Sequence, residues 1–440
     1  MAQATQLTYT GTGTQGMAVT NVVTSTPNQE ALSVFWNDND TVKTLLYGSS
    51  FVEIPNQSGS GTSLVNVAKT MIFDVNNDID AIGDLVLKVA VTSSNGTARC
   101  ATGPLDAVKL IDHIDFYVGS VIWQTLQGND LLALASTELP KGSFDDFALQ
   151  ASGGVSNDGA YTNNGVDSNG RFDAPDGIIA YLPLKLLNKT LGPQLEHIAE
   201  HTECGFLKAA ATGQNIKIKV VTNGGVGTNF ITGSDGSGNG GFGPAGTATV
   251  DLALYGKHQV MTINERTSLN NTATGTTGGM PKRIKTTQNI NKEFSGTAGS
   301  AVCTVTCDSF NIYASHLLIT VNGTAGALAN ASTKGEVELL LNGSTYSSKL
   351  PMGLLRMVGS SMGLYTNEYT INETDRSSHV VYVFPLASRA YSGSGVPLNK
   401  FDSVTLKFTQ LPYTSGNINV TCVGEQTAKY FGTTAALAVF

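Results

Sequence analysis

Charge is scarce in this sequence. Asp, Glu, Lys and Arg together make up 14% of the residues, against about a quarter in an ordinary soluble chain. Long helices with charged outer faces need more Lys and Glu than that, so a helix-dominated fold is not expected. A basic excess is also missing. The formal net charge is −8, and the densest basic cluster is the short run Lys282, Arg283 and Lys285. A protein that grips nucleic acid through its phosphates carries a basic patch, so direct nucleic-acid binding is not expected. No stretch approaches the roughly 20 apolar residues of a membrane-spanning helix. The first ten residues lack the charged and apolar regions of a secretory signal. The sequence therefore reads as a soluble chain that is not membrane-inserted.

The short motifs of common chemistries are missing as well. There are five cysteines, Cys100, Cys204, Cys303, Cys307 and Cys422, and no Cys-x-x-Cys pair. Neither a zinc ribbon nor a thioredoxin-type site is supported, and the cysteines read as buried, reduced thiols. Cys303 and Cys307 lie in a β-like run at a spacing that points both to one face. The Gly-rich stretches 223–247 and 273–279 never lead into Gly-Lys-Ser or Gly-Lys-Thr. One catalytic spelling is approached at His197-Ile-Ala-Glu-His201. On a helix His197 and His201 would share a face, as zinc ligands must, with Glu203 and Cys204 nearby. Gly192-Pro193 and Gly205 bracket only a short segment, so the pair reads as solvated histidines in a loop. Asp145-Asp146 reads as a solvated face rather than an acid–base pair. The expectation is no metal, no cofactor and no enzyme activity.

What fills the gap is glycine, serine, threonine and asparagine, with 49 Gly alone. These residues make turns, and Thr and Val suit strands, so the chain reads as all-β. Residues 1–29 are polar and read as an extended arm. Strand patterns follow at 62–75, 85–91, 108–124, 178–187, 215–222 and 249–255. The hairpin is marked by Gly119-Ser120, and residues 141–177 and 223–247 read as long polar loops. Residues 257–285 read as a connection. The texture then repeats to Phe440. Sequons stand at Asn95, Asn188, Asn270, Asn322, Asn330, Asn342, Asn372 and Asn419. Without a signal they do not imply ordinary secretory glycosylation.

Three echoes occur in the same order in each half. Ile114-Asp-Phe-Tyr-Val-Gly-Ser-Val-Ile-Trp matches Val337-Glu-Leu-Leu-Leu-Asn-Gly-Ser-Thr-Tyr. Ala180-Tyr-Leu-Pro-Leu matches Tyr382-Val-Phe-Pro-Leu, and Asn215-Ile-Lys-Ile-Lys-Val-Val matches Ser403-Val-Thr-Leu-Lys-Phe-Thr. The intervals between echoes are longer in the first half, and the excess falls in 141–177 and 188–213. A duplicated β domain with loop insertions in one copy produces this pattern.

Five segments carry a resemblance that runs from about residue 105 to 440. They are Leu110 to Gln124; Tyr181-Leu-Pro-Leu with Leu191-Gly-Pro193 and Lys217-Ile-Lys-Val; Ile263-Asn-Glu-Arg-Thr267; Leu339-Leu-Leu-Asn-Gly343; and Tyr430-Phe-Gly-Thr-Thr-Ala-Ala-Leu-Ala438. In this order they resemble the major capsid proteins of large eukaryotic double-stranded DNA viruses, best known from those infecting algae. Ser120 and Ala436 stand where that family has Gly, and the family's Phe-Phe-Lys strand is not found in the first ninety residues. The resemblance implies two tandem eight-stranded antiparallel jelly-roll sandwiches. The first covers residues 30–256, the connection 257–285 and the second 286–440. It also implies a homotrimer with a pseudo-hexagonal outline, contacts with neighbouring capsomers and with penton and minor capsid proteins, and a place in the virion shell, close to an internal viral membrane, after synthesis in the host cytoplasm. Tailless membrane-containing phages and archaeal viruses share the architecture. The alternatives are a β-sandwich fibre or adhesin that binds carbohydrate, and a carbohydrate-active enzyme.

Overall fold

The computed structural model describes residues 47–58, 62–64, 67–75, 81–93, 100–102, 106–151, 172–174, 178–184, 206–207, 215–224, 248–261, 263, 280–325, 335–372, 377–390, 395–430 and 435–437. The arm at 1–29 lies outside them, as do most of the loop 223–247 and both His197 and His201.

Among the described residues sixteen principal strands build the four main sheets, eight in each half. In the first half they are β1 (Tyr47–Ile54), β2 (Thr70–Asp74), β3 (Ala81–Ser93), β4 (Ile111–Val118), β5 (Val121–Gln127), β6 (Ile178–Leu184), β7 (Ile216–Thr222) and β8 (Ala248–Met261). In the second half they are β9 (Met280–Ser295), β10 (Ala301–Thr306), β11 (Tyr313–Ala325), β12 (Glu336–Leu341), β13 (Ser344–Pro351), β14 (Val381–Pro385), β15 (Val404–Leu411) and β16 (Tyr413–Tyr430). The first half pairs them as β1-β8-β3-β6 and β2-β7-β4-β5. The second pairs them as β9-β16-β11-β14 and β10-β15-β12-β13. Adding eight to every strand of the first half gives the second. All of these pairings are antiparallel. This is the jelly-roll order, two packed four-stranded sheets built twice.

Period-two alternation explains why these segments are strands. In β7 the buried residues are Ile216, Ile218 and Val220, while Lys217 and Lys219 point away from the core. Ile218 stands between Phe73 of β2 and Phe116 of β4. These side chains meet Leu87, Leu182 and Leu254 of the opposite sheet. In the second half Val305, Leu339, Leu406 and Phe408 meet Leu317, Ile319, Val420 and Phe384 in the same way. Cys303, Cys307 and Cys422 are buried, free thiols in this second core.

The three sequence echoes are structural equivalents: β4–β5 with β12–β13, β6 with β14, and β7 with β15. The two hairpins share even an irregularity. Tyr117 pairs with Ile122 but Phe116 with Gln124, and Leu340 pairs with Thr345 but Leu339 with Ser347. Each return strand thus carries an extra residue, a β-bulge, at the same place, and β13 carries a second between Ser347 and Leu350. The second turn is Asn342-Gly343, both with positive φ, the geometry for which Asn-Gly is favoured in two-residue hairpins.

Among the described residues four α-helices interrupt the strands: α1 (Asp106–Lys109), α2 (Gly128–Glu138), α3 (Lys141–Ala151) and α4 (Met352–Ser361). Two of them correct the sequence reading. Residues 141–151 are a helix and not part of a polar loop. Phe144, Phe147, Ala148 and Ala151 are all buried, and their spacing is that of one helical face. Its exposed residues are Gly, Ser, Lys and Asp, so average composition hides the stripe. Helix α2 has no charged outer face because it is enclosed on all sides. Scarce charge argues against long helices with charged outer faces, but not against short helices or one enclosed on all sides.

The connection is also shorter than 257–285. Strand β8 continues through Met261 and β9 begins at Met280. The polar residues there alternate along ladders paired with β1 and β16, so their polarity does not mark a loop. Lys282, Arg283 and Lys285 accordingly lie in a strand rather than in the connection.

Candidate functional site: the seam between the halves

Helix α2 directly follows β5 and lies against β11, β14 and β16 of the second half, while β5 lies against β9. Local sequence explains the helix. Leu131 to Ala135 is a run of strong helix formers. The Asp130 carboxylate accepts the backbone N–H of Gln127 at 2.9 Å, which satisfies a donor at the helix start. Extended Leu139 before Pro140 ends it. Gly128 is required by close approach: a Cβ there would lie 2.3 Å from the Val108 carbonyl oxygen and 2.7 Å from that of Ile111.

The seam is polar at its centre. Lys285 of β9 donates to both carboxylate oxygens of Glu138, at 2.9 and 3.0 Å, and neither side chain is exposed. Asp130 accepts from Asn289 Nδ2 at 2.6 Å and from the Thr421 hydroxyl. Burial pushes the Asp130 carboxyl above its usual range, and hydrogen bonds from Thr421, Gln127, Asn289 and Asn419 pull it back. Gln124 Nε2 donates to the Thr287 hydroxyl at 3.0 Å. At the far end of α2, the backbone N–H groups of Tyr365 and Asn367 donate to the carbonyls of Thr137 and Ser136, at 2.9 and 3.0 Å. His316 of β11 is fully buried, with Nδ1 2.8 Å from the Ser315 hydroxyl. Burial pushes its imidazole down to about 4; the Glu138 charge opposes this and the Lys285 charge adds to it.

Apolar packing completes the seam. Leu318, Val381, Val383 and Val423, on the outward face of the second half's β9-β16-β11-β14 sheet, belong to the core cluster of the first half. The two sandwiches are therefore one folded unit. Buried polar groups must be paired, so this arrangement fixes one relative placement of the halves. It is a clamp between the halves.

The sequence-derived candidates fall elsewhere. His197 and His201 lie outside the described residues, as do Glu203 and Cys204. Among the described residues, no group of three or more His, Cys, Asp and Glu side chains is placed to hold a metal. Asp145 is an exposed residue paired with Lys141 on the surface of α3. Of the sequon asparagines, Asn95, Asn188, Asn270 and Asn330 lie outside the described residues. Asn372 lies in a short strand, and Asn322 and Asn342 are exposed. Asn419 is buried, its amide engaged with Asn289 and Thr421. The seam itself was missed at the sequence level. Its one readable signal is Asp130 three residues after Gln127, a helix-start spacing within an apolar run.

No protein-family model and no curated protein matches the chain. Solved structures do. The chain is similar to the PBCV-1 virus capsid in its quasi-atomic model, with a TM-score of 0.63 at 12% identity over 90% of this chain and 97% of that one. It is similar to the Faustovirus major capsid protein, with a TM-score of 0.58 at 8% identity over 88% and 91%. It is also similar to the Sputnik virophage structure, with a TM-score of 0.50 at 12% identity over 90% and 89%. At such identities the likeness is one of fold, and the fold is the double jelly roll of viral major capsid proteins.

Proposed function

We propose that this chain is the major capsid protein of an icosahedral virus shell. The observation that carries the reading is the duplicated eight-strand order, clamped by a buried seam, over a length that matches nearly the whole of a capsid chain of the same fold. Two like sandwiches fixed side by side form a rigid wedge. Three such wedges give six sandwiches around one axis, so a threefold object fills a near-sixfold position in a shell. Closed cyclic symmetry leaves no open sticky surface. The working unit is thus a homotrimer, its partners are neighbouring capsomers with penton and minor capsid proteins, and its place is the virion. It acts by packing and not by catalysis, needs no cofactor, and meets the genome through no surface of its own.

Light scattering on the purified chain tests this. A mass about three times the 46.0 kDa of one chain, with a hexagonal outline in electron micrographs, is the expected result. A strictly monomeric protein at high concentration would refute it and favour the adhesin.

A further inference from the structure

A strand at the end of a sheet offers its outer N–H and C=O groups to any extended chain, and folded proteins blunt such edges with charge, proline or a covering segment. The end strands of the four sheets follow that rule with one exception. Strand β1 carries Glu53, β9 carries Lys292 and Glu293, β13 carries Lys349 and Pro351, and β6 and β14 carry Pro183 and Pro385. Strand β5 has neither charge nor proline, and β9 and α2 cover it. Strand β2 is covered by the chain that precedes it. The Gln57 N–H donates to the Ile72 carbonyl at 2.8 Å, and the Asp74 N–H donates to the Pro55 carbonyl at 3.3 Å.

The exception is β10, the second-half equivalent of β2. Its sequence, Ala301-Val-Cys-Thr-Val-Thr306, has no charge and no proline. Strand β9 ends at Ser295, so residues 296–300 alone join the two strands and leave no counterpart of Pro55 to Ser58. The side chains of Val302, Thr304 and Thr306 are exposed, whereas Cys303 and Val305 face the core. The register fixes the backbone direction. The Cys307 N–H donates to the Val404 carbonyl at 2.7 Å, and Val305 and Cys303 stand in the same register opposite Leu406 and Phe408. Alternate residues of an antiparallel strand turn their N–H and C=O groups to the partner, so those of Thr304 and Thr306 point away from β15. Among the described residues no strand pairs with them.

We infer that residues 17–24 of the amino-terminal arm add to β10 as a further strand. Residues 1–29 contain no charged side chain, and Met17-Ala-Val-Thr-Asn-Val-Val-Thr24 is their run richest in strand formers. It matches β10 in kind, β-branched and uncharged, so the pairing buries no charge. Main-chain hydrogen bonds supply the affinity, as in other cases of strand addition. Residues 25–46 lead from this run to β1. Extended at roughly 3.3 Å each they span up to about 70 Å, against a diameter of about 60 Å for a compact chain of this size. The arm therefore reaches β10 of its own chain or of an adjoining copy. The pairing does not rest on the capsid reading, because an uncharged open edge needs cover in any folded protein.

Two measurements on the full chain test it. With p-benzoylphenylalanine in place of Thr304, irradiation is expected to cross-link β10 to residues 17–24, as mapped by mass spectrometry. Mixed light and isotope-labelled chains tell the chain's own arm from a neighbour's, and either origin supports the pairing. Hydrogen exchange reads the Thr304 and Thr306 amides directly. They are expected to exchange at least about a hundredfold more slowly in the wild type than in a Val19→Pro, Val22→Pro variant, which alters the arm and leaves both cores intact. Fast exchange of both amides in the wild type means an open edge and overturns the inference. Slow exchange that survives the two prolines, or cross-links that map only outside residues 17–24, gives the edge to another segment and overturns it equally. Neither readout depends on the mass of the assembly, so this pairing and the capsid reading fail separately.

Discussion

Lys285 and Glu138, one from each half of the chain, form an ion pair at 2.9 Å with no exposure of either side chain. Taking two charges out of water costs several kcal/mol per ion before their attraction offsets it. Such a pair contributes little net stability compared with apolar residues of the same size. Its consequence is specificity: a sliding or rotated second half would leave an ammonium or a carboxylate buried alone.

Removing one partner should therefore be far worse than removing both. Glu138→Ala is expected to destabilise the folded chain by about 3–5 kcal/mol, because it strands the Lys285 ammonium. Glu138→Leu combined with Lys285→Met should recover most of that loss. Urea unfolding of the single and double variants checks it; a double variant as unstable as the single would show that the charge itself is needed.

The same seam gives a pH dependence. The His316 imidazole is held down to about 4, mainly by burial, against about 6.5 in an unfolded chain. Between those values the unfolded chain binds a proton that the folded chain does not, so stability falls as pH drops through the window and levels off below it. The slope is on the order of 1 kcal/mol per pH unit at most. Asp130, raised by burial, works in the opposite sense, since its folded form keeps a proton that the unfolded form releases. His316→Gln removes only the first contribution. Its unfolding midpoint should therefore lose less than the wild type between pH 6.5 and pH 4, and identical pH profiles would sink the assignment.

Strands were legible in this sequence where one face is core and the other is not. Ile216 to Val220 alternates cleanly because Lys217 and Lys219 point away from the core. The duplication was legible because both copies retain a hairpin, a proline-bearing strand and a Lys-bearing strand in one order. Helix α2 was not, since Leu131 to Ala135 is apolar on every side and shows no period. The seam was hidden for a different reason. Lys285 looks like one charge of a basic run, and its partner lies 147 residues away, a pairing that only the tertiary fold creates.

Helix α3 offers a direct check on the region that reads as loop. Phe144 is fully buried, whereas Lys141 and Asp145 pair on the surface with both side chains more than half exposed. Phe144→Ala is expected to cost about 3–5 kcal/mol. Asp145→Ala should change stability by less than about 1 kcal/mol, since exposed pairs contribute little. Equal, small effects from both would mean that residues 141–151 do not pack as described.

The thiols of the second core give the last expectation. Burial pushes Cys307 up to about 12 and Cys422 well above its usual value, and raises Cys303 as well. The thiolate is the reactive form, so at neutral pH these three sulfurs are both inaccessible and protonated. A thiol-reactive label applied to the folded protein should leave Cys303, Cys307 and Cys422 unmodified, as mapped by mass spectrometry, and denaturant should make all three react. Cys422 lies on β16, which pairs with β9 and β11 along much of its length. Its protection therefore reports the sheet that bears the seam. Labelling of Cys422 at neutral pH before global unfolding would mean that this sheet opens on its own, and the clamp formed by Lys285 and Glu138 would then be weaker than its geometry implies.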